Sequence, residues 1–185
     1  MASRIARFLL SGAGALVTIA GHLSAQPAPL GPDRPVAAAL ERLWSETIRH
    51  ITTVAEETTE ADYGWRPTGG VRSIGEMIGH IAGAQYLICA AALGDPPRDE
   101  DEVERNATTR AALLEALTGS TAYCARAYAQ SDSALQAATE VFGQTGSRFY
   151  ALAVNATHNG EHYGNLVTYL RLRGIVPPSS RPRRP

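Results

Sequence analysis

The chain has 185 residues, with 17 Lys+Arg against 18 Asp+Glu, two cysteines and 44% hydrophobic residues. That length suits one domain and is short for two. Balanced charge argues against a dedicated nucleic-acid binder, which carries a basic excess, and two cysteines cannot build a disulfide-dense scaffold or a four-cysteine zinc module. Every basic side chain is arginine, which also excludes a Schiff-base or P-loop lysine. Abundant alanine with 19% charged and 6% aromatic residues favours a helical fold.

The N-terminus carries Arg4 and Arg7 and no acid, then an apolar run from Phe8 to Gly21, then His22-Leu23-Ser24-Ala25. This is the order of a secretory signal peptide cleaved after Ala25. The run of about 14 residues falls short of the roughly 20 that span a bilayer. Its removal deletes two arginines and leaves 15 basic against 18 acidic side chains, a charge of −3. A secreted or periplasmic protein without a membrane span is expected, a signal-anchored or cytoplasmic one being the alternative. The expected organisation is a signal peptide over 1–25, a Pro-rich linker over 26–35, a helical bundle over 36–176 and a disordered Arg/Pro tail over 177–185.

Helical periodicity marks four segments. The first, about Val36 to Thr59, repeats Leu40, Leu43, Trp44, Ile48, Ile51 and Val54. The second starts at Ser73, where Ser73 and Glu76 match a capping box, and stops before Gly94-Asp95-Pro96-Pro97. The third runs from about Thr109 to Gln130. The fourth, about Ser147 to Arg173, ends at Gly174 with Pro177 beyond it. A short extra helix is expected at Ser133 to Thr139, and no sheet, since no useful stretch alternates with period two. The expected fold is all-α, an up-down-up-down four-helix bundle. On adjacent antiparallel helices Cys89 and Cys124 would be offset by roughly 15–20 Å, too far for a bridge, so both read as small core residues.

His158 and His162 are four apart on the last segment, so their rings share one helical face. Such a pair supplies two corners of a metal site. His80 on the second segment can reach the same level and provides a third imidazole; a core histidine bonded to a neighbouring side chain is the alternative. Asn155 and Asn165 lie near the stripe as outer hydrogen-bonding partners of the rings. Glu161 is the candidate proton acceptor or substitute ligand, and His50 sits on the shoulder of its helix as an unlikely fourth ligand.

The stretch from Asn155 through His158, Glu161, His162 and Asn165 to Arg171, Gly174, Pro177 and Pro178 resembles the last helix of the DinB-like (damage-inducible) metalloprotein family. Trp65-Arg66-Pro67, Val71 to Gly75 and the His80 helix resemble its second-helix region. The resemblance spans about Val36 to Ser180. It implies a four-helix bundle with one divalent ion (Zn, Ni or Fe) at three histidines, here His80, His158 and His162. Some relatives transfer low-molecular-weight thiols or use them in isomerisation; members are usually cytosolic, from which the apparent signal peptide departs. The expected function is a metal-dependent enzyme acting by thiol transfer or hydrolysis on a small-molecule substrate, against the alternative of a non-catalytic exported metal-binding or interaction bundle. A homodimer is left open.

Overall fold

The computed structural model of the chain describes residues 33–182. The expected signal peptide, most of the linker and the last three tail residues lie outside them. Among the described residues the elements are α1 (Pro35–Glu57), α2 (Ile74–Leu93), a short α3 (Glu102–Asn106), α4 (Arg110–Tyr128), a hairpin of β1 (Ala138–Val141) and β2 (Gln144–Ser147), and α5 (Arg148–Leu172).

The start of α2 follows from its sequence. Ser73 Oγ accepts from the Glu76 amide at 3.2 Å, and Glu76 Oε2 accepts from the Ser73 amide at 2.7 Å, so the capping box is complete. From there α2 is apolar on nearly every face and lies at the centre of the bundle, with Ile74, Ile78, Ile81 and Ile88 fully buried. It is long and apolar enough to cross a membrane by length and composition, yet 72% of that stretch is buried inside the protein. By contrast α1 buries one stripe, including Trp44, Ile48, Ile51 and Val54, and leaves Leu43 exposed.

The bundle is all-α in its four long helices as expected, but their directions differ from up-down-up-down. Gln85 on α2 donates to Ser120 on α4 at 3.0 Å, Cys89 is joined to Cys124, and Gln130 just past α4 donates to the Ala92 carbonyl at 3.0 Å. These contacts climb both helices together, so α2 and α4 are parallel. In turn α5 opposes them: Asn159 meets Gln85 and Tyr169 meets the Arg72 carbonyl. On α1, Arg34 meets the end of α4 through the Tyr128 carbonyl, and Arg110 at the start of α4 meets the Glu56 carbonyl near the end of α1. The order is therefore up-down-down-up. The physical reason is the connection between α2 and α4, which is long enough to return along α2 rather than turning back at its end.

That reversal corrects the reading of the cysteines. Cys89 and Cys124 each lie about four turns into their helices, a rise of roughly 20 Å in both. In parallel helices this brings them level, with Cα atoms 5.3 Å apart, and they form a disulfide. The region before α5 also differs from expectation. The helix sought at Ser133 to Thr139 is a single 3-10 turn, Ala134–Gln136, followed by the antiparallel pair β1 and β2 around Phe142 and Gly143, both at positive φ. The Glu140–Thr145 and Val141–Gln144 pairs leave a two-residue turn whose left-handed geometry suits a hairpin. Finally, residues 177–182 are not a loose tail. A 3-10 turn covers Pro178–Ser180, Tyr163 Oη donates to Ser179 Oγ at 2.8 Å, and Arg181 forks onto Glu57 at 2.7 and 2.6 Å.

A hub of buried amides ties the four long helices together. Gln85 Oε1 accepts from Trp44 Nε1 at 2.9 Å and from Asn159 Nδ2 at 3.3 Å, while its Nε2 donates to Ser120. The disulfide acts beside this hub, closing a loop between positions 35 apart. Chain-entropy reasoning gives such a loop about 4 kcal/mol, with measured cases commonly about 2–4. Reduction, or the double Cys89→Ser/Cys124→Ser variant, is expected to lower the thermal midpoint with the helical circular-dichroism spectrum retained, as a melting comparison under oxidising and reducing conditions would show.

Candidate metal centre

Three imidazoles meet where α2 faces α5. His80 lies in the second turn of α2, and His158 and His162 project from one face of α5. His162 Nε2 is 3.0 Å from His80 Nε2 and 3.0 Å from His158 Nε2. The rings are tilted or edge-on, with centroids 4.3 to 5.1 Å apart. His80 and His162 are buried, and the His158 side chain is 15% exposed.

Burial is the leading cause that drives these rings toward the neutral form. It pushes His80 from its ordinary 6.5 down to about 4, helped by the charges of Arg72 and His162. It pushes His158 down to about 3, helped by His162, His80 and Arg72. His162 is lowered as well, again mainly by burial. A neutral imidazole carries one N–H and one lone pair. The three Nδ1 atoms are buried with no hydrogen-bond partner among the described residues, and the three Nε2 atoms converge. No assignment of three protons satisfies both sets. A cation that accepts all three Nε2 lone pairs does satisfy the converging side, and neutral imidazole is the form that ligates. The residues present therefore fit a divalent ion.

Around the triad lie groups that the sequence reading did not single out. Glu100, ahead of α3, places Oε1 3.6 Å from His80 Nδ1 and 4.0 Å from His158 Nε2. Burial, then Asp101, raises its carboxyl above the usual range. Glu104 Oε2 lies 3.9 Å from His80 Nδ1, but Arg72 Nε holds that carboxylate at 3.0 and 3.1 Å. His80, Asp101 and Glu104 also bring ligand atoms within 4.8 Å of one another; with Glu104 bound to Arg72 and Asp101 exposed, this second set is not a comparable site. Only acidity in Asp99 to Glu104 signals these residues in the sequence, and acidity there reads equally well as a solvated face.

Of the other expected residues, Glu161 is exposed and reaches the triad only as a charge favouring protonated His162. Asn165 is exposed too. Asn155 is buried, but its amide donates to Tyr128 Oη at 3.2 Å and Cys124 Sγ at 3.7 Å, not to an imidazole. His50 stacks on Tyr163 at 5.3 Å, away from the triad. Asn159 is buried as well and donates to Gln85 Oε1 at 3.3 Å, again not to an imidazole.

Fold and site define a helical-bundle protein with a buried histidine triad open at one ring. The DinB superfamily profile matches residues 39–166, and the chain belongs to that superfamily. No curated protein sequence matches it. Its fold is similar to a DinB-like protein from Bacillus cereus ATCC 10987, with TM-score 0.65 and 16% identity over 76% of this chain and 95% of that one. A DinB-family member from Exiguobacterium sibiricum 255-15 gives 0.60 and 24%, over 77% and 94%. A mycothiol-dependent maleylpyruvate isomerase gives 0.59 and 16%, over 68% of this chain and 58% of that one. At these identities the likeness is one of fold.

The lowered histidine pKa values carry a sign for stability. Unfolded histidine titrates near 6.5, so below that pH the unfolded chain takes up protons that the folded triad resists. Stability of the metal-free protein is therefore full above pH 6.5 and falls as the pH drops toward about 4. The Asp62 and Glu76 carboxylates, lowered by Arg173 and by the Ser73 amide, add their losses only below about pH 4.5. Thermal melts in chelator between pH 7 and 5 are expected to show a falling midpoint, with a shallower slope for His158→Gln.

Proposed function

We propose that the chain is an exported, divalent-metal-dependent enzyme in which His80, His158 and His162 hold one zinc, nickel or iron ion, and that it hydrolyses a small-molecule substrate. The observation that carries this reading is the convergence of three imidazoles, with His162 Nε2 3.0 Å from both His80 Nε2 and His158 Nε2, while all three Nδ1 atoms are buried with no hydrogen-bond partner among the described residues. A divalent ion on three imidazoles, when bound, supplies a Lewis acid that lowers the pKa of a coordinated water or thiol.

The chain's own residues do the rest. His80 and His162 are walled by the core, so water reaches the centre from the His158 side. There Phe142 at the hairpin turn stands 6.3 Å from the His158 ring. Leu87, Ala91, Pro97, Val141 and Phe142 line a neighbouring cleft of about 440 Å³, with room for a small, largely apolar molecule. Arg98 also lines it, with its guanidinium 4.5 Å from the Tyr86 ring centre, and supplies a cation for an anionic substituent.

Hydrolysis is favoured over thiol transfer by the Cys89–Cys124 bridge. Disulfides persist in oxidising compartments, as does the product of a signal-peptide pathway, and the low-molecular-weight thiols of the cytosol are not the ready cosubstrate there. The solved relative named for mycothiol dependence keeps thiol transfer as the competing chemistry.

Purified protein is expected to hold about one divalent ion per chain, lost in His158→Ala and His162→Ala, by elemental analysis. Unchanged content in both variants would falsify the site. Mass spectrometry of the exported protein should find Gln26 as its first residue. Metal-loaded wild type should hydrolyse an apolar ester in a panel that also offers thiol-transfer substrates; metal bound without turnover of either kind would instead support a non-catalytic bundle.

A further inference from the structure

His80 is the one ligand candidate with carboxylates behind it. Its side chain is 8% exposed, and its Nδ1 has no hydrogen-bond partner among the described residues. Of the two carboxylates nearby, Glu104 is taken by Arg72. Glu100 makes no ion pair with an arginine among the described residues, is about three-quarters buried, and places Oε1 3.6 Å from His80 Nδ1 and 4.0 Å from His158 Nε2. Closing that gap by about half an ångström gives an ordinary hydrogen bond.

Glu100 is there because two glycines one helical turn apart on α2, Gly79 and Gly83, admit the backbone of the segment around α3. A Cβ on Gly79 would come within 3.1 Å of Glu104 Cα. On Gly83 it would overlap the Glu100 carbonyl oxygen itself. The segment ahead of α3 thus lies directly on the α2 backbone, and Gly83 sets how close Glu100 comes. Glycine is the residue that permits such an approach.

We propose that Glu100 is a positioning residue of the triad: its carboxylate accepts the Nδ1 proton of His80 and so directs the Nε2 lone pair inward, with Gly83 as the seat that fixes its height. A carboxylate behind a ligating imidazole fixes the tautomer and raises ligand basicity, and its loss typically costs about 10–100-fold in metal affinity. The proposal rests on the metal reading above and adds a residue from a different part of the chain.

The test is a zinc titration of the full chain against a competing chelator, with the cobalt absorption spectrum as a second readout. Glu100→Ala should weaken zinc binding by about 10–100-fold and shift the cobalt bands. Glu100→Gln, whose amide oxygen still accepts, should lose less. Gly83→Ala should weaken binding while every ligand and Glu100 itself remain. Glu102→Gln, exposed on the same segment, should bind as wild type. Metal-free melting midpoints of the two Glu100 variants should match wild type; where the alanine variant fails to fold, the isosteric glutamine variant carries the comparison. Wild-type affinity and cobalt spectrum in the Glu100 variants would overturn this role and leave the three-histidine site standing. A wild-type chain that takes up neither zinc nor cobalt would overturn both.

Discussion

The packing of α2 on every side is the constraint on which the rest depends. A helix apolar all round must be covered all round, and here α4 and α5 cover two flanks while the segment around α3 covers a third across the glycines. Covering that third flank is what carries the chain back along α2, makes α4 parallel to it, and so brings Cys89 level with Cys124. The same return places Glu100 and Glu104 beside His80. Fold order, disulfide and the surroundings of the triad are consequences of one burial problem.

Polar groups inside this bundle follow two different rules. Gln85 uses both ends of its amide, with Trp44, Asn159 and Ser120 as partners, and fixes the four helices against each other. A buried network whose members are paired specifies one arrangement of the helices. The triad one turn away breaks that rule, with three ring nitrogens crowded together and three left bare. Buried polar groups without partners are costly, and the contrast between the two layers marks the second as a place for a ligand.

Much of this was legible before folding. The capping box at Ser73, the helix stop at Gly94, and the four-residue spacing of His158 and His162 are local signals, and each is realised as read. His80 joins the pair although the helix directions differ from the expected ones, because its level near the start of α2 matches positions about the middle of antiparallel α5. Local pattern could not supply what pairs across the chain. Nothing near Arg34 shows that Asp132 caps α1 by accepting from the Val36 and Ala37 amides at 3.0 and 2.8 Å. Nothing in Glu161 or Asn165 shows that both face water.

The opening arithmetic excluded lysine chemistry, and with the histidine spacing it pointed to a helical bundle with a histidine triad. Those are statements about residue type and periodicity, which a chain carries wherever it goes. Helix direction, the bridge between its two cysteines and the choice of Glu100 over Glu161 beside the triad were decided only by the tertiary structure. Each depends on which surfaces meet, and that is settled by how the connection after α2 crosses its glycines, a contact between residues some twenty positions apart that no local pattern encodes.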